Sequence, residues 1–205
     1  MKLKSFISKK AFHSALALGL ISAVFCSFAD FNAACDDLRH NVLRLHIIAN
    51  SDSETDQNLK LLIRDEILRQ SDVLFKDADG FDDAVLSAEN SCREIEDTAN
   101  RVIAQNGFDY KAKVRVGDAY FETREYDSFT LPAGTYKSLI VDLGEAKGKN
   151  WWCVIFPQVC LPVAKDTSLN DSVKDSSAKI AYKPERYVMR FKAVEIYEKI
   201  KNSLK

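Results

Sequence analysis

No excess of charge of either sign marks this chain: 29 lysines and arginines stand against 30 aspartates and glutamates, for a formal net charge of −1. A polyanion binder shows a basic excess or a basic stripe, so nucleic acid is not an expected partner. No C-x-x-C pair occurs, and only three histidines are present, which leaves a zinc site without a ligand set. G-x-S-x-G, H-E-x-x-H and glycine-rich phosphate loops are all missing, so no cofactor and no small-molecule substrate are expected. A lipoprotein signal would need a leucine-like residue three before Cys35, where Asn32 stands. No internal repeat is found. What remains is 205 residues, 46% hydrophobic, enough for one domain with a real core.

The N-terminus is more specific. Lys2, Lys4, Lys9 and Lys10 precede a mostly apolar run from Ala11 to Ala29 carrying Leu16, Leu18, Leu20, Ile21, Val24 and Phe25. Ser27-Phe28-Ala29 then places small residues at the −3 and −1 positions of a signal-peptidase site. This order predicts a secretory signal over residues 1–29, cleaved before Asp30. A retained anchor is the alternative, since the run is near the lower length limit for spanning a bilayer, but His13 and the small residues weaken it. Cleavage would discard Cys26 and leave Cys35, Cys92, Cys153 and Cys160. Outside the cytosol, Cys153 and Cys160 are candidates for a local disulfide; two reduced thiols packed as small hydrophobes are the alternative.

Along the rest of the chain, Val42–Ile48 reads as a central strand. Ser51 with Glu54, or Ser53 with Asp56, caps a helix that buries Leu59, Leu62, Ile63 and Ile67. A second helix follows Gly80, with Phe81, Val85, Ala88, Cys92, Ile95, Ala99 and Val102 on one stripe and a stop at Asn106-Gly107. From Tyr110 the period falls to two, and Gly117-Asp118 reads as a hairpin turn that brings Phe121 to Val114 and Glu122 to Lys113. Tyr136–Leu143 reads as a strand covered on both faces, and Asn150–Phe156 as another. Residues 163–186 are rich in Lys, Asp and Ser, which predicts a mobile polar linker with at most a short helix. Phe191, Val194, Tyr197, Ile200 and Leu204 give an amphipathic helix over 187–205. The expected fold is α+β: two long helices packed on one face of a mostly antiparallel sheet, in a domain spanning 38–162, plus the C-terminal helix.

Chemistry-bearing constellations are thin. Cys153 with His46 could imitate a nucleophile and base, although His46 among apolar neighbours reads better as a hydrogen-bonded core histidine. Asp52 with Asp56 could serve a hydrolase, yet capping and the helix dipole explain acids there. Two clusters stand out. One is the polar loop Ala49-Asn50-Ser51-Asp52-Ser53-Glu54-Thr55-Asp56-Gln57, continued by Lys60 and Arg64. The other is Asn150-Trp151-Trp152-Cys153, where adjacent tryptophans on a strand must point to opposite faces. Either both faces are covered, or one tryptophan is exposed and marks a binding surface.

These clusters also carry a resemblance. The run from Arg44 to Asp65, Pro132-Ala133-Gly134-Thr135-Tyr136, the stretch Gly148–Pro157 with Cys160, and Arg190-Phe191-Lys192-Ala193-Val194-Glu195 resemble the stage II sporulation protein R family. That resemblance implies a protein made in the forespore and exported into the space between forespore and mother-cell membranes. It implies a partner there, a membrane-embedded aspartic protease of the stage II sporulation protein GA type, which processes a mother-cell pro-sigma factor. It implies a ligand with no catalytic residues. On that reading Asn50, Ser51, Asp52, Asp56, Gln57, Lys60, Arg64, Trp151 and Trp152 are candidate partner contacts. A secreted hydrolase using Cys153 or the acidic loop, and a wall-carbohydrate module using the tryptophans, are the rival expectations.

Overall fold

The computed structural model describes residues 9–126, 129–157, 169 and 172–204. Helix α1 (Lys9–His40) leads into strand β1 (Leu43–Ile48), then α2 (Glu54–Leu74) and α3 (Phe81–Gln105). Strand β2 (Ala112–Phe121), a short ribbon of β3 (Arg124–Glu125) and β4 (Thr130–Leu131), β5 (Gly134–Leu143) and β6 (Asn150–Phe156) follow. A helix α4 (Asp175–Tyr182), a 3-10 turn (Pro184–Arg186) and α5 (Val188–Ser203) close the chain.

The main sheet has the order β2-β5-β1-β6. β1 runs parallel to β5 and antiparallel to β6, and β2 is antiparallel to β5. Alternation along β1 divides the sheet. Leu43, Leu45 and Ile47 face α2 and α3 in a core with Leu59, Ile63, Ile67, Ala88, Ile95, Ala99 and Ile103. Val42, Arg44 and His46 point the other way, where Phe121, Tyr136, Trp152 and Val154 meet Leu38 of α1, Phe129, Leu131 and α4. The α+β expectation, with the two long helices on one face, is what the structure has. Helical spacing also located the buried stripe of α2, except that Leu62 is 49% exposed.

Gly117-Asp118, expected as a hairpin turn, is none. β2 pairs with β5 without interruption, from Ala112 opposite Leu143 to Phe121 opposite Gly134. Val114 faces Val141, Lys113 faces Asp142, and Asp118 forms an ion pair with Lys137 at 2.8 Å. A ten-residue partner strand outweighs a local glycine signal, because each further pair adds ladder hydrogen bonds. Within 163–186, where at most a short helix was expected, the described residues form α4: Ile180 packs with Phe31, Phe191 and Val194, and Ala178 and Ala181 pack with Leu38, Phe129 and Leu131. Asp175, Ser176 and Lys179 lie on the outward side of α4, while Ser177 is buried. Residues 163–168 and 170–171 lie outside the described residues.

Helix α1 passes without a break through the expected cleavage point between Ala29 and Asp30, as one helix of 32 residues. Its first half is apolar and uncovered, with Phe25 73% exposed, while Phe31, Ala34, Cys35 and Leu38 in its second half are buried. The packed chain thus begins ahead of residue 38. α5 docks beside this second half: Phe191 meets Phe31 edge-on at 5.2 Å, and Arg39 approaches Glu198 at 3.9 Å. Tyr197, Ile200 and Leu204, expected on the apolar stripe, are exposed; Glu198 takes the inward place instead.

Candidate functional site

The polar loop after β1 is folded around one carboxylate. Ser53 caps α2, its hydroxyl accepting from the Asp56 backbone N–H, so the second of the two expected starts is the real one. That turn carries Asp56 inward to 4% exposure. There it accepts from Asn50 Nδ2 at 2.9 Å, Ser51 Oγ at 2.5 Å and the Tyr110 hydroxyl at 2.6 Å. Burial alone would raise the Asp56 carboxyl, but the donors from Ser51, Tyr110, Asn50 and Ser53 hold it below the usual carboxylate range. The Tyr110 hydroxyl is pushed up, by burial first and then by its bond to Asp56.

The same residues grip the turn between β5 and β6. Asn50 Oδ1 accepts from the Glu145 N–H at 3.0 Å, and Asp52 Oδ1 from the Lys149 N–H at 2.7 Å. Lys60 Nζ donates to the Lys149 carbonyl at 2.9 Å and to Gln57 Oε1 at 2.6 Å; Gln57 Nε2 donates to the Ser51 carbonyl at 2.8 Å. Backbone bonds from Gly148 to Ala49 and from Lys147 to Asn50 complete the closure. A Cβ at Gly148 would run into the Ser51 carbonyl, so only glycine fits. Lys60 is itself 4% exposed, and burial lowers its ammonium below the ordinary value.

Asn50, Ser51, Asp52, Asp56, Gln57 and Lys60 are therefore brought together in one network. Arg64 stands outside these hydrogen bonds: it pairs with Asp65 at 2.6 Å, and its guanidinium carbon lies 5.1 Å from the Trp151 ring centroid. Trp152 is not part of this assembly. It lies on the opposite face of the sheet beside His46, with Arg124 stacked 4.1 Å from its ring centroid. Both tryptophans are half-buried.

The strand register also separates His46 from Cys153. His46 pairs with Trp152, and Cys153 pairs with Leu45 on the α2/α3 face, so the two side chains are on opposite sides of the sheet. Cys153 is disulfide-bonded, while Cys26, Cys35 and Cys92 are free. Cys160 lies outside the described residues. His46 Nε2 donates to Asn150 Oδ1 at 3.1 Å, and burial lowers its pKa. Among the described residues no group of His, Cys, Asp and Glu is gathered as a metal site would require. Sequence reasoning missed Arg44. It is fully buried on the second face, and its signal was the alternation of Arg44 and His46 with Leu43, Leu45 and Ile47.

A two-faced α+β domain, entered through a half-uncovered apolar helix and locked at one sheet end by a buried polar network, is the class of protein this architecture defines. The family model of stage II sporulation protein R matches residues 39–188. A curated relative, the Stage II sporulation protein R of Bacillus subtilis (strain 168), is 34% identical over 141 residues, covering 69% of this chain and 62% of the relative. The chain belongs to the stage II sporulation protein R family. It spans less than two thirds of that relative's length. No solved structure matches it.

Proposed function

We propose that this chain is an exported signalling protein of sporulation that activates a membrane-embedded aspartic protease, which in turn processes a mother-cell pro-sigma factor. The observation that carries the reading is the uncovered apolar half of α1, near the N-terminus and with a mean hydropathy of 1.8, on a chain of this family. An apolar run behind four lysines is what an export pathway recognises. The protein acts as a ligand: its surface offers Arg64 stacked on Trp151, a planar cation on an aromatic face, a pairing common at binding hot spots. The network around Asp56 holds that surface in place and is largely consumed by its own bonds.

The hydrolase reading loses its nucleophile and base to the opposite faces of the sheet. The wall-binding reading loses its pair of tryptophans to the same division. Co-expression of this protein, the protease and the pro-sigma substrate in a non-sporulating host tests the proposal. Processing should appear only when this protein is exported. Processing without it, or its failure despite export, would sink the reading. Cys153→Ser should retain signalling in the same assay, because no thiolate is needed.

A further inference from the structure

Two arginines are buried among the described residues, Arg39 and Arg44, and their surroundings differ. Arg39 has carboxylates: Asp36 at 2.5 Å and Glu198 at 3.9 Å. Arg44, at 0% exposure, has none among the described residues. Its guanidinium carbon lies 3.8 Å from the Phe121 ring centroid and 5.0 Å from that of Tyr136. Nη2 donates to the Tyr126 hydroxyl at 2.5 Å; Nε and Nη1 are buried with no acceptor.

Ring faces offset little of this. A cation–π contact contributes on the order of 0.5–2 kcal/mol, whereas removing an ion from water costs several kcal/mol even after relaxation. The neighbourhood is rich in donors and short of acceptors. Trp152 Nε1 is likewise buried without a partner, its ring 6.0 Å from Phe121, and Arg124 stacks on that indole. Burial depresses the Arg44 guanidinium below its ordinary value, the direction expected of a cation lacking its counter-ion.

The cover over Arg44 is the β3–β4 ribbon, backed by α4, where Phe129 meets Tyr182 edge-on at 6.4 Å. Tyr126 and Phe129 stack at 4.6 Å on the β3–β4 ribbon, which is joined by only two register pairs, Arg124 with Leu131 and Glu125 with Thr130. Two short strands have little independent stability.

We infer that Arg44 is the anion-recognising residue of a carboxylate-binding site beneath the β3–β4 ribbon, with the Tyr126 hydroxyl as a second donor. One buried positive charge is balanced by one negative charge, which favours a carboxylate over a phosphate dianion. The aromatic walls suit a carboxylate on an organic body: a small acid, or the acidic side chain or C-terminus of a polypeptide. The site lies on the face away from Arg64 and Trp151, so it does not depend on the signalling reading.

The test uses the full chain in mild detergent at constant ionic strength, following thermal unfolding and tryptophan emission. The probes are sodium propionate, neutral propionamide, sodium phosphate, and a short peptide ending in a free carboxylate beside its C-terminal amide. Propionate or the free-acid peptide should raise the unfolding midpoint saturably, as a ligand bound only to the folded state must. The stronger of the two names the source of the carboxylate. Propionamide and the peptide amide should do nothing. Arg44→Met should abolish the response while remaining at least as stable as the parent, and Tyr126→Phe should weaken binding about tenfold, one hydrogen bond to a charged group. Equal responses to acid and amide, a stronger response to phosphate, or no response to any carboxylate would overturn the proposal. So would an Arg44→Met variant that responds like the parent. If that variant does not fold, an unchanged Tyr126→Phe affinity is sufficient to reject it.

Discussion

The two faces of the main sheet come from the same strands and alternate residue by residue, yet they are finished differently. On the α2/α3 side, Leu45, Ile47, Ile63, Ile95, Leu139 and Val141 close an aliphatic core that needs no hydrogen bonds. On the other side, Arg44, His46 and Trp152 bring polar atoms into the interior and leave Arg44 Nε and Nη1, His46 Nδ1 and Trp152 Nε1 without partners. Between them, at the sheet end, the Asp56 network buries as much polarity and satisfies it. Stability thus belongs to the first face and the network, while the second face carries polar groups that stability alone does not require.

The largest effect should come from breaking the first face. Ile63→Ala removes a fully buried side chain and should cost about 2–5 kcal/mol in urea unfolding. A loss well below that range would mean the core is not where it is drawn. Asp56→Asn should cost about 1.5–3 kcal/mol, the scale of hydrogen bonds to a charged group. The sign with pH follows from its depressed folded pKa. Its contribution is complete above the unfolded value of about 3.9 and is lost as pH falls through the lower folded value. The variant should therefore show a flatter acid limb than the parent, measured as unfolding free energy against pH.

Gly148→Ala presses a Cβ into the Ser51 carbonyl and should cost about 1–3 kcal/mol, measured by thermal unfolding. It sharpens the comparison because it strains the network without removing a polar partner. The smallest effect belongs to the second face. Burial lowers the His46 pKa, so its stability contribution is complete above about pH 6.5 and declines as pH falls toward the lower folded value. His46→Gln should flatten that part of the pH profile with little change at pH 8. A parent profile already flat there would show that the imidazole stays accessible to water.

Much of this was legible beforehand because it is local. Period 3.6 marked Leu59, Ile63 and Ile67, and period two marked Ala112, Val114 and Val116. Asn106-Gly107 marked a helix end, where Gly107 takes φ 79°. What failed was set by distant partners. Gly117-Asp118 has the chemistry of a turn, and only the length of β5 decides otherwise. Over 163–186 composition allowed at most a short helix, and the surface that α1 offers Ile180 lies far away in sequence. In the site, the residues from Asn50 to Lys60 were found as a cluster. Their engagement with Glu145, Lys149 and Tyr110, 50 to 100 positions on, was beyond any local pattern. Alternation puts Arg44 on the face of His46, but only the cover laid there by α1, α4 and Phe129 makes that face interior.

The unbroken course of α1 has a mechanical consequence. A helix of 32 residues is a rod of about 48 Å, and its uncovered and packed halves share one axis. A tilt or roll imposed on the apolar half is therefore a tilt or roll of Leu38 and Arg39. Arg39 Nε holds the Ala133 carbonyl at 3.1 Å, and its side chain fills the space where a Cβ of Gly134 would stand. Torque on the far end of α1 is delivered at that point, where β5 begins.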